Sequence, residues 1–375
     1  VISGAVNAWA RLNFVDAWNS AYAFIVVGKI VATIILVFIG YLHRKTLSKK
    51  DSINWIGFAK LITVEAVIMV VTVLMGTWLS TSASPDRPSS AEFSPALSIV
   101  GIETPPPPTL SRILFSYEPN ALMIGILVLM VALYVKGVIV LTKRGDKWPV
   151  GRTIAFALGI SAVDFATSGG LGLYAQFSFS YHMMSHMVLG MVAPIGLVLG
   201  APMTLALRTL PQGRNPEERG VRGSLLAALH SKIGVLYTNP IVALAIFDGS
   251  LFALYFTDLF AVLMQSHTGH LFMSLHFLAA GFLFFFIIIG VDPNPRRVHH
   301  LVQIVILFAA MSIHAFFSVA LMSTTTLIDQ GFYTSLQTPW LGDPLADQKL
   351  GGSIGWAMGE IPILIALVAT FINWM

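Results

Sequence analysis

The run Tyr181-His182-Met183-Met184-Ser185-His186-Met187 sets two imidazoles four residues apart among three thioethers. On a helix, positions i and i+4 share a face, so His182 and His186 can hold one metal ion between them. The segment lacks the Glu that a zinc-protease HExxH motif uses as its base, so hydrolysis is not expected there. His267 and His270 form a second pair at i, i+3, with Met264 and Met273 close in sequence. Neutral imidazole and thioether suit Cu(I), whereas hard cations prefer oxygen. The chain has 10 His and 15 Met but no Cys. That excludes disulfides, iron–sulfur ligation and thiolate nucleophiles, and thiol-free ligation suits an oxidising compartment.

Three further ionisable groups lie deeper in apolar sequence. His276 falls six residues inside its expected span, His314 eight and Glu360 eight. At about 1.5 Å per residue they share a depth of about 9–12 Å below one membrane surface, which predicts a common pocket. Ionisable groups in a membrane span are costly unless paired or solvated, so these three are functional candidates. Asp164 and Asp248 also fall within spans, where a role in helix packing competes with one in transport. The plainer alternative for a single His at a membrane boundary is anchoring, and for Met it is packing. Met75, Met123, Met130 and Met203 are read as core.

The elements that must position these residues are membrane helices. Hydrophobic residues make up 56% of the 375 and charged ones only 11%, with a mean hydropathy of +0.78. So few charges cannot clothe a water-facing surface, and lipid is the implied solvent. Lys+Arg exceed Asp+Glu by only 22 to 18, and no basic groove interleaved with aromatics is present, so no nucleic-acid partner is expected. About nine stretches can cross roughly 30 Å of hydrocarbon. They are 20–42, 56–79, 120–141, 153–175, 181–206, 240–263, 270–290, 301–322 and 352–373. Backbone groups in lipid must be satisfied within each segment, so the fold class is an all-α integral membrane protein.

The loops alternate in charge. Those at 43–51 (Arg44, Lys45, Lys49, Lys50), 143–152 (Lys143, Arg144, Lys147, Arg152), 207–239 (Arg208, Arg214, Arg219, Arg222, Lys232) and 291–300 (Arg296, Arg297) are basic, and the other four are poor in Lys and Arg. Basic loops stay cytoplasmic, which places the His/Met clusters at the extracytoplasmic face. A Ser/Pro-rich stretch with Pro105-Pro106-Pro107-Pro108 reads as an external polyproline II linker. It divides the chain into 1–80, a linker at 81–118, and a seven-helix domain at 119–375. The opening Val1-Ile2-Ser3-Gly4 has neither an initiator Met nor a cationic segment before an apolar run. No signal peptide is expected, and residues 1–14 read as the tail of a further, truncated helix.

The His182 to Met187 run is followed by Ala193-Pro194 and by Leu199-Gly200-Ala201-Pro202-Met203-Thr204-Leu205-Ala206-Leu207-Arg208. Further on come His270 to Gly281 around His276, the His314 helix, and Asp347-Gln348-Lys349-Leu350-Gly351-Gly352 with Trp356 and Gly359-Glu360. Together these resemble the CtaG family of cytochrome c oxidase assembly factors over about 120–375, with Ser185 where the family pattern has Gln. Residues 1–80 are similar to the C-terminal part of the CopD copper-resistance family, through Tyr22 to Lys29, His43-Arg44-Lys45, Glu65 and Thr72 to Leu79. The two families occur fused in some bacteria, CopD part first. The resemblance implies a multi-pass protein of a bacterial plasma membrane, built of two CopD-like helices and a seven-helix bundle. It implies copper handling at the outer face in the assembly of a haem–copper oxidase, with copper uptake or tolerance attached to the CopD-like part.

The expected function is therefore copper binding without catalysis. Copper, as Cu(I), would be captured by His182, His186, Met183, Met184 and Met187 and exchanged with His267, His270, His276 and His314. Glu360 would supply counter-charge or take a proton displaced from a ligand. The expected partners are the oxidase subunit carrying the binuclear centre, other copper chaperones and membrane lipid. Three readings remain beside it. A membrane haem protein would use His276 and His314 as axial ligands. A copper permease would continue its path inward through Asp164 and Asp248. A structural accessory subunit of a respiratory oxidase would bind no metal.

Overall fold

The computed structural model describes residues 8–9, 11–12, 15–47, 55–81, 94–212, 220–295 and 298–374. Outside the described residues lie most of the expected incomplete first helix, the stretch 82–93, and Lys49, Lys50, Arg214, Arg219, Arg296 and Arg297. The side chains of His43, Arg44 and Lys45 are likewise not described. The chain forms two compact units, Val1–Glu92 and Phe93–Met375. Among the described residues all regular structure is helical, apart from one isolated bridge between Tyr117 and Gly169.

In the first unit a short 3-10 turn, Val15–Asn19, leads into α1 (Ala21–Leu47), which packs along α2 (Trp55–Thr81). Tyr22, Ala23 and Val26 bury themselves with Leu12 and Ala17, and Leu79 packs against them. The two helices approach closely where Gly28 leaves room for Met75: a Cβ there would stand 2.6 Å from its methyl carbon. Small residues allow this kind of contact in lipid, where apolar side chains gain little by leaving one apolar medium for another.

The second unit contains α3 (Ala121–Lys143), α4 (Val150–Thr167) and α5 (Phe179–Met187). The last of these continues through a π-helical turn, Val188–Val192, and the helices Ala193–Leu199 and Pro202–Thr209. Then come α6 (Pro240–Phe247), α7 (Gly249–Tyr255), α8 (Leu259–Met264), α9 (His267–Ile289), α10 (His300–Met322) and α11 (Pro344–Trp374). Among the described residues seven helices are long and apolar enough to cross a membrane: Ala21–Leu42, α3, α4, Phe179–Thr209, α9, α10 and Pro344–Ile372. Of the other two expected spans, 56–79 lies within the helix α2, whose described apolar part is Thr63–Gly76. The stretch 240–263 is divided among α6, α7 and α8, with joints at Asp248 and at 256–258. At the first joint Leu251 N–H reaches back only three residues, to Asp248 O at 3.1 Å, so the helix tightens at a buried acid.

The long span after Phe179 is fixed at both ends and bent in the middle. Pro194 has no N–H to offer Gly190 O, and the register loosens there: Ala193 N–H bonds to Val188 O, five residues back. Gly281 of α9 lies directly against the Gly190 carbonyl, with no room for a side chain. At the basic end Ala201 takes a left-handed φ of 50°. The carboxylate of Asp292 then accepts from Met203 N–H (3.2 Å) and Thr204 N–H (2.7 Å), capping Pro202–Thr209. At the other end the Asp347 carboxylate, from the first turn of α11, accepts from Ser178 Oγ (3.0 Å), Phe179 N–H (2.8 Å) and Ser180 N–H (3.3 Å). The first N–H groups of a helix have no intrahelical partner, so each carboxylate supplies what a local cap would.

Two glycine seams set the spacing of the bundle. Gly159 of α4 and Gly196 face each other so closely that a Cβ on Gly159 would stand 2.7 Å from Leu197 N. On α11, Gly351 faces Phe179, Gly352 and Gly359 face α10, and Gly355 lies between Met183 of α5 and Ser318 of α10. The proline run at 105–108 is no free spacer: Trp340 Nε1–H donates to Pro105 O (2.8 Å) and the Tyr174 hydroxyl to Pro106 O (2.8 Å). Polyproline II makes no internal hydrogen bonds, so its carbonyls remain open acceptors. Apolar side chains such as Leu129, Leu133, Val305, Phe308, Leu364 and Ile365 are exposed on the spanning helices, as lipid contact requires.

Two outcomes follow. Gly159→Ala should cost about 1–3 kcal/mol through overpacking, lowering the thermal unfolding midpoint in detergent. Asp347→Ala should cost about 1 kcal/mol through the lost cap, with faster amide exchange at 178–182; unchanged exchange there would refute the cap's role.

Candidate metal centre

Three imidazoles meet where α5 faces α9. A ring nitrogen from each of His182, His186 and His270 lies within 4.8 Å of the others, and among the described residues this is the one group of three or more His and acidic side chains so placed. The ring centroids of His182 and His186 are 4.0 Å apart, as four-residue helical spacing dictates, and His270 stands 5.4 and 6.4 Å from them. Trigonal ligation with metal–nitrogen bonds near 2.0 Å needs nitrogens about 3.5 Å apart, so a modest contraction closes the site.

The surroundings are apolar and aromatic. His182 and His186 are fully buried. Phe260 crosses His182 edge-on at 5.3 Å, and Phe277 lies 4.4 Å from His186. Neither ring nitrogen of His182 has a hydrogen-bond partner, nor has Nε2 of His186. Buried polar atoms without partners are uncommon and call for an explanation. His186 Nδ1 is 2.9 Å from the hydroxyl of Tyr255 on α7. With Nδ1–H donated to that oxygen, the Nε2 lone pair is free to bind metal, the usual outer-shell arrangement of a ligand histidine.

Access comes from the side of His267. A small cavity of about 40 Å³ is lined by Ile99, Val100, Gln176, Met264, Ser266, His267, His270 and Phe332. His267 is exposed and His270 half-buried, so the two lead from the surface to the triad. The loop before α11 closes over this end. Gln348 holds it by accepting from Ile328 N–H (2.9 Å) and donating to Thr326 O (3.0 Å). The hydroxyl of Tyr333 donates to Ala175 O at 3.2 Å. Desolvation, with Tyr255, Asp329 and Asp347 nearby, pushes its ionisation well above the ordinary phenol range, so it stays a neutral donor.

The other expected residues are placed elsewhere. Met183 and Met187 are buried on the neighbouring stripe of α5; Met183 turns its sulfur toward Gly355 of α11, 3.5 Å from where a Cβ would be. Met184 is half-buried, and Ser185 donates to Ala166 O (2.8 Å). His276 stands half-buried beside Phe272 and Phe277. His314 is directed at Asp248 and Gly355, and Glu360 accepts from Trp356 Nε1–H at 2.7 Å. The pocket expected from equal depth in His276, His314 and Glu360 is therefore not what these three form. α11 begins at Pro344 rather than 352; Glu360 follows the Gly359 notch that takes the His314 ring, but its carboxylate is held by Trp356. Sequence reasoning missed Tyr255, Phe260 and Gln176, which carry no spacing signal, and the cap role of Asp347, although Asp347-Gln348 opens one of the recognised motifs.

Residues 132–375 match the family described as cytochrome c oxidase caa3 assembly factor (Caa3_CtaG), and residues 1–79 match copper resistance protein D. The chain is similar to uncharacterized proteins of Mycobacterium bovis and Mycobacterium tuberculosis, each 42% identical over 275 residues, and to one of Mycobacterium leprae at 40%. These alignments cover 73% of this chain and 42% of each relative, so the chain spans less than half the length of the curated relatives it matches. No solved structure matches. A multi-pass helical bundle whose sequence follows the family pattern from residue 132 to 375 belongs to the cytochrome c oxidase caa3 assembly factors, here preceded by a segment of the copper resistance protein D type.

Proposed function

We propose that this protein binds copper as Cu(I) at His182, His186 and His270 and passes it on during assembly of a haem–copper oxidase. The recipient is the subunit carrying the binuclear centre, and other copper chaperones supply the metal. The observation that carries the reading is the triad itself, with His182 and His186 fully buried and no partner for either nitrogen of His182 or for Nε2 of His186. Three neutral imidazoles around a monocation leave a single charge in an apolar interior. A divalent ion would leave two, and ion transfer into low dielectric grows steeply with charge. His267 and Met264 at the mouth are suited to receive the ion, and the buried triad to hold it. The role is binding and transfer, with no reaction on an organic substrate.

In this reading residues 1–80 form the CopD-like part, with uptake or tolerance as its contribution, 81–118 the linker and 119–375 the assembly-factor domain. The basic loops face the cytoplasm of a bacterium and the triad faces outward.

Purified protein loaded with Cu(I) should retain about one copper per triad, falling to background in the His182→Ala/His186→Ala variant, with no haem absorption. Equal copper in both proteins would sink the assignment. Tyr255→Phe should weaken copper binding by about 10–100-fold while leaving one site, since it removes only the group that orients His186. Competition with a Cu(I) chelator reads the affinity.

A further inference from the structure

A second buried polar centre lies between α10, α11 and the joint of α6 and α7, and the copper reading makes no use of it. Asp248, at the joint of α6 and α7, and His314 of α10 are both fully buried. Asp248 Oδ1 stands 3.5 Å from His314 Nδ1, too far for a formed hydrogen bond. Both carboxyl oxygens, His314 Nδ1 and the Oγ of Ser318 one turn on lack hydrogen-bond partners. The other ring nitrogen, Nε2, is 3.2 Å from Gly355 O. The ring rests in a notch on α11 where a side chain at Gly359 would overlap it.

Proton counting narrows what this arrangement can be. A backbone carbonyl only accepts, so the short contact to Gly355 O puts a hydrogen on Nε2. In the neutral ring Nδ1 is then a lone pair, and it faces a carboxylate. Two acceptors pointing at each other in an apolar interior need a positive charge between them. One unit balances the single negative charge of Asp248. The neighbouring elements turn their polar groups elsewhere: Glu360 to Trp356, Tyr255 to His186, and His276 to the aromatic rings of α9.

We propose that Asp248 and His314 form a one-proton site: the carboxyl group is protonated and donates to Nδ1, while Nε2–H donates to Gly355 O. Every member of the chain Asp248–His314–Gly355 is then neutral. Moving the proton to Nδ1 leaves a carboxylate–imidazolium pair, with no atom gained or lost. The site thus holds one proton, shared between the carboxyl group and the ring inside the bundle.

The test is infrared spectroscopy of the full chain in lipid bilayers, with nitrogen-15 labelled histidine read by solid-state NMR. The wild type should show a protonated carboxyl carbonyl band that disappears in Asp248→Asn and shifts in His314→Gln. The His314 signal should be that of a neutral ring protonated at Nε2 with a hydrogen bond to Nδ1. With the His314 signal picked out from the ten histidines by its contact with carbon-13 labelled aspartate, this NMR readout needs no variant and stands even if one misfolds. A band that persists in a folded Asp248→Asn protein would overturn the proposal. So would a ring protonated at Nδ1 alone, or copper held by oxygen and nitrogen ligands and lost in Asp248→Asn while the triad keeps its own. Loss of triad copper with the band intact would refute the copper reading and leave this one standing.

Discussion

A helix beginning at the rim of a membrane exposes N–H groups that lipid cannot satisfy, and in α5 those donors are met by Asp347, 168 residues from Phe179 in the chain. A local Ser or Asp cap would have closed the same hydrogen bonds without tying α5 to anything. Because the acceptor sits on α11, the cap also fixes the height and rotation of the helix that carries His182 and His186. Asp292 repeats the device at the basic end of the same span. Between the two clamps, Pro194 and the π-helical turn move the chain off straight helical register, against Gly281. The rotation of the His face is thus set by three distant partners.

That determinacy allows unsatisfied imidazoles to persist. The polar groups around the triad are mostly paired off: Ser185 to Ala166, Ser178 to Asp347, Tyr333 to Ala175. What is left without partners, on the α5 side of the triad, is ring nitrogen of His182 and His186. An arrangement selected for stability alone would fill the space with Leu or Phe, since unpaired buried polar atoms cost about 1–3 kcal/mol each. Keeping the nitrogens while spending several other hydrogen bonds on rigidity is the pattern expected of a site that must be ready for an ion.

The membrane class and most spans were legible because apolar length is a strong one-dimensional signal. So was the pairing of His182 with His186, since helical spacing is local. His270 joined them only because α9 packs on α5, and nothing in its own i, i+3 relation to His267 says so. The depth argument set Glu360 level with His314, and that ring does rest against Gly355 and Gly359. Depth says nothing of direction, however, and the Glu360 carboxylate turns to Trp356. The expected ninefold span count met the broken stretch 240–263, where Asp248 and Gly249 interrupt a sequence whose mean hydropathy gives no warning. Side-chain direction was hidden altogether: Met183 belongs to the right segment and the wrong face, a difference of one residue and about 100° around the helix.

The two polar centres are mounted on a common frame. The triad uses the His182/His186 face of α5, and the adjacent face, through Met183, packs on Gly355 of α11. Gly355 supplies the carbonyl that fixes the His314 ring, and Asp347 on the same helix caps α5. A shift of α11 along its axis would therefore strain the cap, press Met183 and displace the Gly355 carbonyl together. Glycine at 351, 352, 355 and 359 removes the side chains that would otherwise space α11 from its neighbours, so close backbone contact couples these places directly. The His triad on one face of α5 and the Asp248–His314 pair beyond the other are in this way tied to the position of a single helix.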